Sequence, residues 1–296
     1  MSAKILDGKA IANEMREELK HRVAELRGQG VIPGLGVVLV GDDPASRSYV
    51  TAKEKACEKI GIHSDEHRLP AEAGREQILG IVDQYNNDAR IHGILVQLPL
   101  PDASMETEVI MAVRPEKDVD GFHPVNIGRM IMGQRAFLPC TPHGILHILK
   151  RSNIPVKGAH VVIVGRSNIV GRPLANLLTR KDDMGNATVT MCHTATRELA
   201  NFTRQADIVV AAAGRPKTIT ADMIREGAVV IDVGVNRVDD ADAPKGYRLV
   251  GDVDYESVRE KASAITPVPG GVGPMTITML LYNTVQSAQR TGARAE

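Results

Sequence analysis

Aromatic residues are scarce in this chain: five Tyr, three Phe and no Trp, 3% of 296 residues. Proteins that hold unpaired bases stack them on aromatic rings, so this scarcity excludes such a platform. Net charge is missing too. Thirty-six Lys and Arg balance 36 Asp and Glu, which leaves no overall field to attract nucleic acid or an anionic membrane. Cysteine is limited to Cys57, Cys140 and Cys192. These are too widely spaced for a paired metal site and point to a reducing compartment, with Cys57 a small core residue. No apolar run is long enough to cross a bilayer, and the first residues carry no secretion-type apolar core. The expected location is the cytoplasm, with no metal, nucleic-acid or membrane partner.

What is present is an ordinary globular composition, 43% hydrophobic and 24% charged, over a length that allows two domains. Ile11, Met15, Leu19, Val23 and Leu26 recur at helical spacing, and Gly28 and Gly30 end that helix. Leu35 to Val40 reads as a buried strand closed by Gly41-Asp42-Asp43-Pro44. A helix is expected from about Ser46 to Ile60, stopped by Gly61, then another around Glu76 to Tyr85 and a strand at 93–96. This alternation predicts a parallel sheet with helices on its faces. The irregular stretch between Pro115 and Pro142 reads as a domain boundary. Beyond it, strands are expected near 161–164, 188–191, 208–212, 229–231 and 264–265, and a final helix from Pro274. The fold class is therefore α/β, with two domains and mostly parallel sheets. The expected division is 1–139 plus 274–296 for the first domain and 140–273 for the second.

The helix after Pro44 holds a contradiction. Tyr49, Lys53, Cys57 and Ile60 share one face, so Lys53 lies on a stripe that otherwise looks buried. Two readings are open: a lysine stretching its stem over apolar surface to water, or a desolvated amine favoured in its neutral form and able to act as a base. Ligands of open parallel sheets bind outside the carboxyl ends of the strands, where this helix begins. Gln97, directly after the 93–96 strand, should reach the same edge. Its neutral amide would hold an amine without favouring the charged form as a carboxylate does. Asp120-Gly121 is either a simple turn or a carboxylate able to grip paired N–H donors of an aminopyrimidinone ring. Pro269-Gly270-Gly271-Val272-Gly273-Pro274 gives a backbone able to approach a flat ligand closely.

In the second domain, the segment 160–173 has the shape of strand, tight turn and helix N-terminus, where free N–H groups can hold a phosphate. It departs from the dinucleotide fingerprint: Ser167 stands at the second glycine and the last is displaced to Gly171. No acid follows the 188–191 strand until Glu198. Arg166, with Thr194 and Arg197, is placed to hold an extra phosphate, which favours NADP over NAD.

Taken together, Tyr49-x-x-x-Lys53, Val96-Gln-Leu-Pro-Leu-Pro101, Lys117-Asp-Val-Asp-Gly121, Pro139-Cys-Thr-Pro142, Gly165-Arg-Ser-Asn-Ile-Val-Gly-Arg-Pro173 and Pro269-Gly-Gly-Val-Gly-Pro-Met-Thr276 resemble the methylenetetrahydrofolate dehydrogenase/cyclohydrolase family. The resemblance runs in order over almost the whole chain. It implies an N-terminal folate-binding domain, a Rossmann-type NADP domain and a homodimer acting on one-carbon derivatives of tetrahydrofolate. It implies roles for residues as well: Lys53 catalytic, Gln97 its positioning partner, Tyr49 packed on the aminobenzoyl part of the folate, and Asp120 holding the pterin. Val96, Leu98 and Pro269, Gly270, Gly271 and Val272 line the folate by the same resemblance. Gly165, Arg166, Ser167, Thr194, Ile231 and Asp232 line the cofactor. Relatives often carry Ser-Arg where this chain has Thr194-Ala195.

Two competing functions stay in view. A hydroxy- or amino-acid dehydrogenase would need positive groups converging on a substrate carboxylate, and the first domain shows no such cluster. A non-catalytic binder of dinucleotide or folate would have little reason to keep a lysine on an apolar face.

Overall fold

The computed structural model describes residues 2–243 and 246–292. They form two compact units, one of residues 13–140 and 277–292, the other of residues 2–12, 141–243 and 246–276.

The unit containing residues 13–140 is built on three parallel strands. Gly34–Val40 lies in the middle, paired with His63–Leu69 on one side and Gly93–Val96 on the other. Every residue of the central strand is buried, and each fully buried Val or Leu side chain contributes about 1.5–3 kcal/mol. The chain leaves the central strand, pairs on one side, then crosses to the other. The carboxyl end of Gly34–Val40 is therefore a topological switch point, where open α/β sheets bind ligands. The helix Pro44–Ile60 starts there. Asp43 caps it by accepting from Ser46 N at 2.8 Å, Pro44 occupies its first turn, and Gly61 ends it in the left-handed conformation. The core joins Val38, Val40, Ile78, Val82, Tyr85, Ile94 and Val96.

His63–Leu69 is a strand the hydrophobic pattern does not announce. Its sequence is mostly polar and its residues are half-buried or exposed, as an edge strand tolerates.

The other unit carries a six-stranded sheet in the order Lys4–Ile5, Ala264–Ile265, Val229–Asp232, Ile208–Ala211, His160–Val164, Thr188–Cys192, all parallel. Its core includes Val162, Val164, Val209, Val230 and Ile265. Here too the chain switches sides about one strand. From His160–Val164 it goes first to Thr188–Cys192 and then to Ile208–Ala211 on the opposite flank. Gly165 follows immediately at the switch point. A separate antiparallel pair, Asn236–Asp239 with Tyr247–Val250, also escapes the sequence pattern.

The N-terminal residues correct one expectation. Residues 1–12, assigned above to the first domain, group with residues 141–276, because Lys4–Ile5 extends that sheet beside Ala264–Ile265. The final helix spans Val272–Gly292, so it begins two residues before Pro274. Met279, Leu280 and Val285 on it are buried.

Candidate active site

Lys53 is 7% exposed, and its stripe partners Cys57 and Ile60 are buried with it. The stem-to-water reading fails: the amine ends on protein. Lys53 Nζ donates to Gln97 Oε1 at 2.9 Å. Gln97 in turn donates from Nε2 to the Leu98 carbonyl at 2.6 Å, which fixes its amide oxygen toward the lysine. The backbone N–H of Gln97 donates to Val38 O at 2.9 Å, so the residue continues the ladder at the switch point. Tyr49, one turn earlier on the helix, is half-buried, and burial pushes its phenol up. Cys57 beneath is pushed up to about 12 by burial and by Glu54, and it stays a neutral thiol.

Asp120 lies within electrostatic reach of Lys53: burial raises its carboxyl and the lysine offsets part of that rise. Structure thus brings Tyr49, Lys53, Gln97 and Asp120 together in one unit, with Val96 buried and Leu98 half-buried beside Gln97. Asp118 has a different task. Its carboxylate accepts from the backbone N–H groups of Gly121, Phe122 and His123 and from Asn126 Nδ2, between 2.8 and 3.2 Å. Burial still pushes it up to about 6. It shapes the loop that presents Asp120.

In the other unit, the 165–171 turn is a backbone cradle. A Cβ on Gly165 would lie 2.1 Å from the Ala212 carbonyl oxygen, and one on Gly171 would lie 2.1 Å from the Gly165 carbonyl oxygen. Gly165 also has φ +139, open to glycine and little else. Ser167 explains the irregular fingerprint: its Oγ accepts from Val170 N at 3.2 Å and Gly171 N at 3.5 Å. The serine thus ties the turn to the start of the helix Gly171–Thr179, whose N-cap residue Val170 has no side-chain cap of its own. Arg166 and Thr194 are exposed.

Asp232 turns its carboxylate into the protein. It is 2% exposed, and its carboxylate accepts from the N–H groups of Gly234, Asp252 and Val253 at 2.9–3.0 Å. Burial raises it to about 6. That carboxylate fastens the strand end to the 251–253 segment, while Ile231 is buried in the strand. In the glycine-rich segment, Gly271 and Val272 are buried, Gly270 half-buried and Pro269 exposed.

Sequence profiles of two domains match this chain: the tetrahydrofolate dehydrogenase/cyclohydrolase catalytic domain over residues 6–120 and the corresponding NAD(P)-binding domain over residues 139–292. The chain belongs to the tetrahydrofolate dehydrogenase/cyclohydrolase family. Similar curated proteins include the bifunctional protein FolD of Dehalococcoides mccartyi, 57% identical with 98% of each chain covered. That of Bacillus subtilis is 55% identical over 98% of this chain and 99% of its own. Among solved structures, the bifunctional enzyme FolD of Campylobacter jejuni is 47% identical, with a TM-score of 0.91 over 98% of this chain and all of the other. The Trypanosoma brucei enzyme, solved with NADP and an inhibitor, is 39% identical, with a TM-score of 0.93 over 98% of this chain and 99% of its own.

Membership absorbs the sequence motifs but not two contacts. Cys140 and Asn283, both 1% exposed, meet the Asp120 loop. The Pro139-Cys-Thr-Pro142 motif contains the first without assigning it a task, and the only signal of the second is chemical: a polar amide inside an apolar helix stripe.

Proposed function

We propose that this chain oxidises 5,10-methylenetetrahydrofolate with NADP and hydrolyses the resulting 5,10-methenyltetrahydrofolate to 10-formyltetrahydrofolate. The observation that carries this reading is the buried Lys53 held by a neutral amide beside the Asp120 carboxylate. Family membership supplies the reaction class.

The Gly165–Gly171 turn fits a dinucleotide, since both positions reject a side chain and the helix Gly171–Thr179 opens at a sheet switch point. Gly165, Arg166 and Ser167 would hold the phosphates, with Thr194 and the strand end at Ile231 beside them. NADP, when bound, accepts the hydride from the one-carbon bridge. The chain's part in that step is to keep donor and acceptor oriented. Asp120 accepts from the pterin's paired N–H donors, Tyr49 packs on the aminobenzoyl ring, and Pro269 to Val272 offer backbone to the folate.

Hydrolysis asks more of the side chains. The methenyl group is a cation, and water adding to it must lose a proton. A permanently charged lysine would repel that cation, so the step requires Lys53 to offer a free electron pair. Lys53 takes one proton from the adding water, leaving a neutral carbinolamine; as the C–N bond opens it returns that proton to the ring nitrogen, while the carbinol O–H gives its proton to solvent as the formyl C=O forms. Gln97 keeps the amine aimed without contributing a negative charge.

A homodimer and a cytoplasmic location belong to the same proposal. Three buried free thiols support the second, and among the described residues no helix is long and apolar enough to cross a membrane. The test is direct: NADPH formation on adding methylenetetrahydrofolate and NADP, and separately the decay of methenyltetrahydrofolate without cofactor. Both should proceed. A hydroxy-acid dehydrogenase or a non-catalytic binder gives neither signal.

A further inference from the structure

Asp120 lies in a turn, outside any helix or strand, yet its proposed work demands a fixed carboxylate. Three groups fix it. Asn283, reaching from the final helix, donates through Nδ2 to the Val119 carbonyl at 2.8 Å and to the Leu138 carbonyl at 3.1 Å. That one amide ties the residue before Asp120 to the segment leading into the helix Cys140–Arg151. Gly121, the residue after Asp120, lies so close to the same segment that a Cβ would meet the Leu138 carbonyl carbon at 2.6 Å. Cys140 completes the bracket. Its S–H donates to the Val119 carbonyl, with Sγ 3.3 Å from that oxygen. Asn283 Nδ2 backs the sulfur at 3.8 Å.

We infer that Cys140 and Asn283 are positioning residues for the folate site: both donate to the Val119 carbonyl, the amide also ties it to Leu138, and together they hold the loop that aims the Asp120 carboxylate at the pterin. Burial raises the Cys140 thiol well above its ordinary range, so the proton needed for donation stays on the sulfur. Preorganisation of this kind strengthens substrate binding without entering the chemistry.

The inference rests on the pterin-holding role proposed for Asp120, and the experiment separates the two. Cys140→Ala, Cys140→Ser, Asp120→Asn and the Asp120→Asn/Cys140→Ala pair are compared for KM and kcat with methylenetetrahydrofolate, for KM with NADP, and for Tm. Cys140→Ala should raise the folate KM on the order of fivefold, the scale of one lost hydrogen bond, with the KM for NADP unchanged. Cys140→Ser keeps a donor and should restore the folate KM. In the Asp120→Asn background, Cys140→Ala should add nothing. A wild-type folate KM in Cys140→Ala overturns the inference, as does an equal rise in both backgrounds. If the alanine variant fails to fold, Cys140→Ser decides alone: a raised KM despite its hydroxyl overturns the inference. A wild-type KM in Asp120→Asn removes the role of Asp120 itself, and the inference with it.

Discussion

Lys53 Nζ and Gln97 Oε1 stand 2.9 Å apart, and the same amide donates to the Leu98 carbonyl at 2.6 Å. The lysine is thus held by an oxygen that carries no formal charge and cannot turn away. A carboxylate in its place would favour the ammonium form of the partner. Gln97→Glu should therefore slow methenyltetrahydrofolate hydrolysis about tenfold or more near neutrality. The hydrolysis rate of the variant at pH 7 checks this; a rate equal to wild type contradicts it.

The cofactor turn makes a steric prediction. Gly165→Ala places a methyl 2.1 Å from the Ala212 carbonyl oxygen, at φ +139, and this backbone cannot accept it without moving. NADP affinity should fall at least about tenfold, with Tm lowered as well, because strain of this kind costs about 1–3 kcal/mol. Calorimetric titration with NADP and a melting curve supply both readings. Unchanged affinity would show that the turn does not hold the dinucleotide.

His143, 6% exposed on the helix Cys140–Arg151, is lowered to about 3, first by burial and then by His147 and Arg180. Its folded pKa lies below the unfolded one, so unfolding takes up a proton. Its contribution is present above about pH 6.5 and is lost as pH falls toward about 3. Asp118 and Asp232 have the opposite sign. Each is raised by burial from 3.8 to about 6, so the folded state holds extra protons and gains stability as pH falls from about 6 to about 4. Replacing His143 with Gln should remove the acid-sensitive share. The Tm lost between about pH 7.5 and pH 5 should be smaller in the variant than in wild type. An identical loss would mean that His143 is not the neutral, buried group described here.

How much of this was legible in the sequence depended on where each contact partner lies along the chain. The Lys53 stripe was legible, because four positions at helical spacing define a face without outside information. Gly165 and Gly171 were legible as a turn, but the reason for Ser167 was not, since only coordinates show its Oγ on the helix N–H groups. The edge strand His63–Leu69 escaped because it buries too little to show an apolar period. Lys4–Ile5 escaped because two exposed residues carry no period at all. The three backbone partners of the Asp232 carboxylate were invisible until the 234 and 251–253 segments were placed beside it. Asn283 finds its acceptor 164 residues earlier, a distance that no local pattern spans.

The central claim is that the buried Lys53 amine handles the proton of hydrolysis. Lys53→Met keeps the apolar stem and removes the nitrogen, so decay of methenyltetrahydrofolate should slow by about a hundredfold or more, while NADP binding, measured on the same preparation, stays at the wild-type value. Hydrolysis at the wild-type rate in that variant would contradict the account.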